Sequence, residues 1–307
     1  MTGVSDIVFV LEGIGWASAW RRLRLKAFRF LRWLARWFPA RWLPARWLAK
    51  RACRFVVLCH QRTGSNLLCG RLSGHPGIIM HNELFNEVTP YTPHTELLGQ
   101  WNVYERDRNP QGFLDHIFTV GDTDSTIGHS IGAVGFKSFP EHWIGRYGTF
   151  QRLVADPELK VIVLRRADPL AVLVSQRRAN ATQDYVGHGQ LYDDVRVSVR
   201  PSDLQRYADK LDACYHGYEQ LATEPLDITY EQLTRAPEAT AARLCEFLHV
   251  ATDPLGVPPH MTRQSNGKPR DAISAEQNLQ LGFSFRHTRQ SGFLHETAQD
   301  QVLHDCT

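Results

Sequence analysis

Short, continuously apolar segments, separated by polar or helix-forming stretches, constrain the fold of this chain more than any other feature. They recur from residue 54 onward, and we predict that five of them are strands. These are Phe55–Cys59, Ile78–Met80, Ala133–Phe136, Lys160–Leu164 and Leu226–Tyr230. Apolar and polar residues hardly alternate within them, which is typical of parallel strands that are covered on both faces. The sequence therefore predicts an α/β fold, with a parallel sheet of about five strands flanked by helices.

Helix-forming stretches lie between and after these segments. The predicted helices are Asn66–Ser73, Pro169–Ala181, Pro201–Leu221 and Pro237–Leu248. Residues Tyr91–Thr126 are rich in Gly, Pro, Asp and Asn, so we predict an insertion or a substrate-facing loop region there.

The amino-terminal part of the chain differs sharply from the rest in charge. The first 54 residues carry a net charge of +10, the remainder carries −7, and six of the eight tryptophans precede residue 48. We therefore divide the chain into a basic Trp/Arg-rich arm, residues 1–53, and one domain, residues 54–307. Three interpretations of the arm stay open: binding to an anionic membrane surface through residues 16–51, a disordered extension, and general attraction to nucleic-acid phosphate without specific recognition.

Cysteine usage and the absence of a long apolar stretch bear on location. The six cysteines show no CxxC or Cys/His spacing, which predicts free thiols in a reducing compartment and gives no sign of a metal site. Asp6 and Glu12 interrupt the only amino-terminal candidate for a membrane span, and arginines recur from Arg21 onward. A signal peptide is not expected either, because the positive charge follows the apolar stretch instead of preceding it. We predict a cytoplasmic protein, with peripheral binding at the inner membrane face if the arm binds lipid.

The strongest local motif is a loop between the first predicted strand and its helix, His60–Asn66. Gly64 permits a tight turn, and the following helix presents its positive end, so the loop is suited to hold a phosphate. Arg62 adds a fixed charge, and short polar donors come from Thr63, Ser65 and Asn66. The GxxxxGK[ST] spacing of a Walker A loop is absent. From the residues alone, an anion site and an ordinary turn both stay open.

A second basic motif follows another predicted strand. Arg165 and Arg166 end that strand, and the helix after it carries Ser175. Because neighbouring strands of a doubly wound sheet meet at their carboxyl ends, one of these arginines is expected to face the crevice of the first loop. Two separated anion sites indicate a ligand with phosphates at both ends. The alternative is that the arginines only pair at the surface, for example with Asp168.

Together the motifs resemble a known family. Arg62–Leu68 resembles the 5′-phosphosulfate loop of sulfotransferases that use 3′-phosphoadenosine 5′-phosphosulfate (PAPS). Arg166 with Ser175 resembles that family's 3′-phosphate site, and Leu226–Leu233 resembles the segment whose tyrosine lies near the adenine. Asn82–Phe85 resembles a motif of the carbohydrate-directed and bacterial trehalose-type branch. The resemblance implies a P-loop-like sulfotransferase fold over residues 54–307.

The resemblance also implies roles for individual residues. Arg62 would neutralise the bridging and sulfuryl oxygens, and it would act electrostatically because a guanidinium does not give up its proton. Glu83 would be the general base that takes the proton of an acceptor hydroxyl. The implied PAPS-binding residues are Arg62, Thr63, Gly64, Ser65 and Asn66 at the 5′-phosphate, Arg166 and Ser175 at the 3′-phosphate, Tyr230 at the adenine, and Lys268 and Arg270 in a carboxy-terminal basic loop.

Several points stay open at this stage. His81 and His142 are alternative bases, and Lys137 contacts either the sulfate or acceptor or merely Glu141. The favoured acceptor is a carbohydrate or glycolipid hydroxyl, and no metal is expected. Two other functions are a nucleotide-dependent phosphoryl transferase and a non-catalytic membrane-surface protein that retains the fold. The sequence does not indicate the oligomeric state.

Overall fold

The structure, a computed structural model, describes residues 52–123, 131–185, 194–219, 221, 224–252 and 269–273. Nearly all of the predicted basic arm lies outside these residues, so the boundary after residue 53 stays a prediction. None of the helices in the described ranges is long and apolar enough to cross a membrane.

The strands form a single parallel sheet. They are β1 Cys53–Cys59, β2 Ile78–His81, β3 Ala133–Ser138, β4 Leu159–Arg165 and β5 Leu226–Thr229. Their order across the sheet is β2-β3-β1-β4-β5, and each neighbouring pair is parallel. The predicted α/β fold with about five parallel strands is confirmed.

The described helices connect and cover these strands. They are α1 Ser65–Ser73, α2 Val103–Arg108, α3 Pro110–Thr123, α4 Tyr147–Val154, α5 Pro169–Thr182, α6 Pro201–Glu219, α7 Tyr230–Arg235 and α8 Pro237–Leu248. Short 3-10 helices occur at Thr95–Leu98, Pro140–Trp143 and Pro269–Ala272.

Strand β1 shows why the central strands are apolar over most of their length. Phe55 and Val57 pack on one face against α1, α7 and α8, whereas Val56 and Leu58 pack on the other against α3, α4 and α6. All four side chains are fully buried. Since water reaches neither face of the strand, no position favours a polar residue.

The prediction of a loop region over Tyr91–Thr126 is wrong in part, because α2 and α3 lie within it. The residues that suggested a loop begin these helices. Asn102 is the N-cap of α2 and accepts a hydrogen bond from the backbone N–H of Glu105 (3.1 Å), and Pro110 is the first residue of α3. Both are favoured helix starts.

The strand order creates a crevice between β1 and β4. Chain leaving β1 runs to β2 at one edge of the sheet, and chain leaving β4 runs to β5 at the other edge. Cys59 lies opposite Leu164, so the two strands end at nearly the same level. Such a reversal at the carboxyl ends of parallel strands is where open α/β sheets bind ligands.

Candidate active site

The loop after β1 has a left-handed backbone at two positions, Arg62 (φ 63°) and Gly64 (φ 93°). Thr63 is buried, and its hydroxyl donates to the carbonyl of His60 (2.7 Å), which fixes the turn from inside. A Cβ at Gly64 would lie 2.4 Å from Cδ2 of Tyr230. Both the backbone conformation and the contact with Tyr230 therefore require glycine.

Two arginines meet beside this loop. Arg62 donates from Nε to the hydroxyl of Ser175 (3.0 Å) and from Nη1 to the carbonyl of Tyr185 (2.6 Å). Arg166 donates from Nη1 to the carbonyl of Arg62 (3.3 Å), and its guanidinium lies 4.6 Å from the ring centroid of Tyr230. Burial lowers the pKa of Arg62, and the charge of Arg166 lowers it further. A bound anion would relieve this repulsion.

The other arginine at the end of β4 points elsewhere. Arg165 forms ion pairs with Asp227 (2.7 Å) and Glu219 (3.0 Å), and its guanidinium lies 4.9 Å from the ring centroid of Tyr215. These contacts give Arg165 a structural role at the end of β4. Arg166 is the one that reaches the loop after β1.

Glu83 lies in the connection after β2, where Lys137 of β3 contacts it. Only 3% of Lys137 is exposed, and its ammonium lies 2.9 Å from Oε1 of Glu83 and donates to Oδ1 of Asn66 in α1. Asn86 donates to Oε2 of Glu83 (2.9 Å). Burial alone would raise the pKa of Glu83, but Lys137 and Asn86 hold it below its ordinary value. Lys137 thus pairs with Glu83 and not with Glu141.

The two histidines proposed as alternative bases are both neutral near pH 7. Burial lowers the pKa of His81 to about 3 and that of His142 to about 4. Nδ1 of His81 lies 2.7 Å from the hydroxyl of Thr92, so His81 belongs to the packing after β2. His142 lies next to Glu83 instead, with its Nε2 3.8 Å from Oε2 of that residue.

The carboxy-terminal loop is described only in part. Lys268 and the side chain of Arg270 lie outside the described residues, so their predicted contacts stay predictions. The backbone of Pro269–Ala272 is a 3-10 helix next to α5, and Ala272 packs with Leu170 and Leu173. This places the segment against the helix that carries Ser175.

Two further groups near Glu83 were not assigned to the site from the sequence. Arg106 of α2 is fully buried and donates to the carbonyls of Leu84 (2.9 Å) and Asn86 (2.6 Å), which fixes the connection that carries Glu83. Glu141 accepts a hydrogen bond from the side chain of Gln61, just before Arg62. The only available signal for Glu141 was its position after β3, close to Lys137. Across the described ranges, no three His, Cys, Asp or Glu side chains cluster as metal ligands do.

Comparison with known proteins finds similarity to sulfotransferases. A family model described as "Sulfotransferase family" matches residues 150–254, which include Arg166, Ser175 and Tyr230. Nodulation protein H of Rhizobium tropici is 27% identical over 237 residues, covering 76% of this chain and 85% of that protein. Both findings indicate a sulfotransferase, which favours an enzyme that transfers sulfate over a phosphoryl transferase or a non-catalytic protein.

Solved structures show more distant similarity. The sulfotransferase domain of the Synechococcus PCC 7002 olefin synthase is 18% identical, with 83% of this chain and 94% of that chain covered and a TM-score of 0.34. The sulfotransferase from Alicyclobacillus acidocaldarius is 17% identical, with 71% and 87% covered and a TM-score of 0.37.

Proposed function

We propose that the sulfate donor is PAPS and that it binds in the crevice between β1 and β4. The observation that carries this proposal is the contact among three elements. Arg166, from the end of β4, contacts the carbonyl of Arg62 in the loop after β1, and the ring of Tyr230 lies against both Arg166 and Gly64. An aromatic ring between two cationic loops suits a nucleotide with phosphates at its 5′ and 3′ positions.

Residues of the loop after β1 and of the start of α1 have separate roles in binding the donor and in stabilising charge. The N–H groups at the start of α1 and the side chains of Ser65 and Asn66 bind the 5′-phosphosulfate. Arg62 contributes a permanent charge where negative charge develops on the bridging oxygen. Its contact with Ser175 brings the same guanidinium close to the predicted 3′-phosphate position, so Arg62 and Arg166 both serve the bisphosphate.

Glu83 is the proposed general base. Its carboxylate takes the proton of the acceptor hydroxyl while that oxygen attacks sulfur in line. The new O–S bond forms as the bond from sulfur to the bridging oxygen breaks, and 3′-phosphoadenosine 5′-phosphate (PAP) leaves with the electron pair. Lys137 keeps Glu83 ionised before the reaction and joins it to Asn66 in the first turn of α1, directly after the donor-binding loop.

The proposed acceptor is a hydroxyl of a carbohydrate or glycolipid. Support comes from the resemblance of Asn82–Phe85 to the carbohydrate-directed branch, and from the net charge of +10 on the first 54 residues, which favours an anionic lipid surface. A cytoplasmic protein bound at the inner membrane face is part of this proposal.

Transfer of ³⁵S from labelled PAPS to a panel of glycosides tests the function. We expect labelled product with the wild type, and a loss of roughly 10²- to 10⁴-fold in kcat with Glu83→Gln, the usual contribution of a general base. Glu158→Gln is the matched control, because Glu158 is exposed and pairs with Arg54 at the opposite end of the sheet. Absence of labelled product, or an unchanged kcat with Glu83→Gln, would contradict the proposal.

A further inference from the structure

His142 contacts two different groups through the two nitrogens of its ring. It belongs to the 3-10 helix after β3, Pro140–Trp143, and it is buried. The backbone N–H of Phe139, at the start of that helix, donates to Nδ1 (3.3 Å), and Nε2 lies 3.8 Å from Oε2 of Glu83. The mechanism proposed above uses Glu83 and gives His142 no role.

The contact at Nδ1 decides which nitrogen of His142 carries the proton. Burial lowers the pKa of His142 to about 4, and the charge of Glu83 opposes this shift. Three cations act in the same direction as burial, namely Lys137, Arg106 and Arg146. The imidazole is therefore neutral near pH 7, with one nitrogen as donor and the other as acceptor. Since Nδ1 accepts from the backbone, the proton is on Nε2 and faces Glu83. A nitrogen that already carries a proton is a donor to Glu83 and not a base.

Arg146 fixes the backbone of His142. Its Nη1 donates to the carbonyl of His142 (3.0 Å), and its Nε and Nη2 contact the two carboxylate oxygens of Asp107 (3.2 and 2.7 Å). Asp107, in α2, also accepts a hydrogen bond from Nε of Arg106 (2.7 Å). One carboxylate therefore joins the arginine that holds His142 to the arginine that holds the connection after β2.

These contacts form a closed circuit that begins and ends at Oε2 of Glu83. Arg106 donates to the carbonyl of Asn86 (2.6 Å), and the side chain of Asn86 donates to Oε2 of Glu83 (2.9 Å). Nε2 of His142 faces the same oxygen, whereas Lys137 contacts Oε1 (2.9 Å). Each carboxylate oxygen thus has its own donors. We call the circuit the Glu83 network, and its members are Glu83, Asn86, Arg106, Asp107, Arg146 and His142.

We propose that His142 is a positioning residue of the sulfate-transfer reaction, whose Nε2–H donates to Oε2 of Glu83 when the acceptor binds and fixes the orientation of that carboxylate. The observed 3.8 Å is longer than a hydrogen bond, but catalytic hydrogen bonds commonly shorten when substrate binds. The proposal rests on the proposed function and deepens it, because it makes His142 a support of the base. Orientation matters for the rate, since a misplacement of about 1 Å costs roughly 10²-fold.

The test compares two substitutions that each keep one of the two contacts of His142. The side chain of His142→Asn ends near the position of Nδ1, so it can still accept from Phe139 but does not reach Glu83. The side-chain amide of His142→Gln ends near the position of Nε2, so it restores a donor to Glu83 and loses the contact with Phe139. Transfer of ³⁵S from labelled PAPS to a glycoside is measured as a function of pH.

We expect His142→Asn to lower kcat by roughly 10- to 100-fold. Its acidic limb of kcat/KM should move to higher pH, because the ionised carboxylate of Glu83 loses a donor and its pKa rises. His142→Gln should recover most of kcat and the wild-type limb. A purely structural role predicts the opposite order, since only His142→Gln loses the bond with Phe139. The other groups around Glu83 are unchanged in both variants, namely Lys137, Asn86 and Glu141.

Two further variants complete the comparison. His75→Asn is the matched control, because His75 is also buried and accepts a backbone N–H at Nδ1, from Gly77 (3.0 Å), at the opposite end of β2 from Glu83. It should keep the wild-type kcat and acidic limb. Asp107→Asn changes the same network at an exposed residue, and it should lower kcat in the same direction as His142→Asn by a smaller factor. The Kd for PAP should stay at the wild-type value in every variant, and the melting temperature (Tm) records any loss of folding.

Three results would overturn the positioning role. The first is a wild-type kcat and acidic limb in His142→Asn. The second is an equal loss of kcat in His142→Asn and His142→Gln. The third is an unchanged pKa of Glu83 in His142→Asn, measured by ¹³C NMR titration of the carboxyl groups. In each case, transfer by the wild type that is lost with Glu83→Gln leaves the proposed function intact. No transfer by the wild type, or an unchanged kcat with Glu83→Gln, would contradict the proposed function, and the positioning role with it.

Discussion

The ammonium of Lys137 lies 2.9 Å from the carboxylate of Glu83 and also donates to Asn66. One buried cation therefore joins the proposed base to the first turn of α1, which follows the donor-binding loop. The burial of Lys137 makes the pair sensitive to the loss of either partner.

Replacing Lys137 should change the pH dependence of the reaction. In the wild type, the lowered pKa of Glu83 keeps the carboxylate ionised to lower pH than an ordinary glutamate. In Lys137→Met, the lysine charge no longer offsets the burial of Glu83. The pKa of Glu83 therefore rises, and the acidic limb of the kcat/KM profile moves to higher pH. The free energy of unfolding should fall by about 3 kcal/mol. Lys160→Met, on β4, is the control and should keep the wild-type limb. An unmoved acidic limb in Lys137→Met would rule out Glu83 as the base.

Gly64→Ala tests the contact between the loop and Tyr230. The added Cβ would lie 2.4 Å from Cδ2 of Tyr230, at a backbone φ of 93° that alanine rarely adopts. We expect loss of PAP binding and a lower Tm. The double variant Gly64→Ala/Tyr230→Ala should recover part of the Tm, because only the backbone strain remains. Equal Tm values for the single and double variants would show that the contact with Tyr230 is not limiting.

Arg166→Lys should weaken nucleotide binding, whereas Arg165→Lys should not. Lysine keeps the charge of Arg166 but loses the flat guanidinium that lies 4.6 Å from the ring centroid of Tyr230. We expect the Kd for PAP, measured by calorimetry, to rise roughly tenfold. Arg165 faces Asp227 and Glu219, so its variant is a matched control at the adjacent position. A larger rise in the Kd for PAP with Arg165→Lys than with Arg166→Lys would mean that Arg165, and not Arg166, binds the nucleotide.

Arg106→Met should lower kcat more than nucleotide affinity. The fully buried guanidinium holds the carbonyls of Leu84 and Asn86, and Asn86 in turn donates to Glu83. Its loss leaves buried carbonyls without donors, at about 1–3 kcal/mol of stability each. PAP affinity should change little, because the donor-binding loop is not touched. Arg152→Met, an exposed change on α4, should leave kcat unchanged. Equal losses of kcat and PAP affinity in Arg106→Met would indicate general unfolding instead of displacement of Glu83.

Much of the fold was predictable, because continuous apolar runs such as Phe55–Cys59 have one common explanation in a sheet covered on both faces. The loop at Gly64 was predictable for a similar reason, since a polar, glycine-containing turn between a strand and a helix limits the backbone. Helices α2 and α3 were missed because Asn102 and Pro110 favour turns and helix starts alike.

The contacts within the site were less predictable. Whether Lys137 meets Glu83 or Glu141 depends on which strand lies beside β3, and strand order is a long-range property that local patterns do not carry. The same holds for Arg106, whose burial in α2 depends on contacts with the connection after β2. The family resemblance assigns Arg166, and not Arg165, to the 3′-phosphate, and the structure places Arg166 at the loop after β1.

Binding of PAP, compared with ATP, tests the central claim most directly. Thermal unfolding of the wild type, Arg62→Ala and Arg166→Ala is measured with each nucleotide. If PAPS is the donor, PAP raises the Tm of the wild type, ATP does so far less, and both substitutions abolish the increase. A Tm raised by ATP and not by PAP, or an increase with PAP that survives both substitutions, would contradict the account.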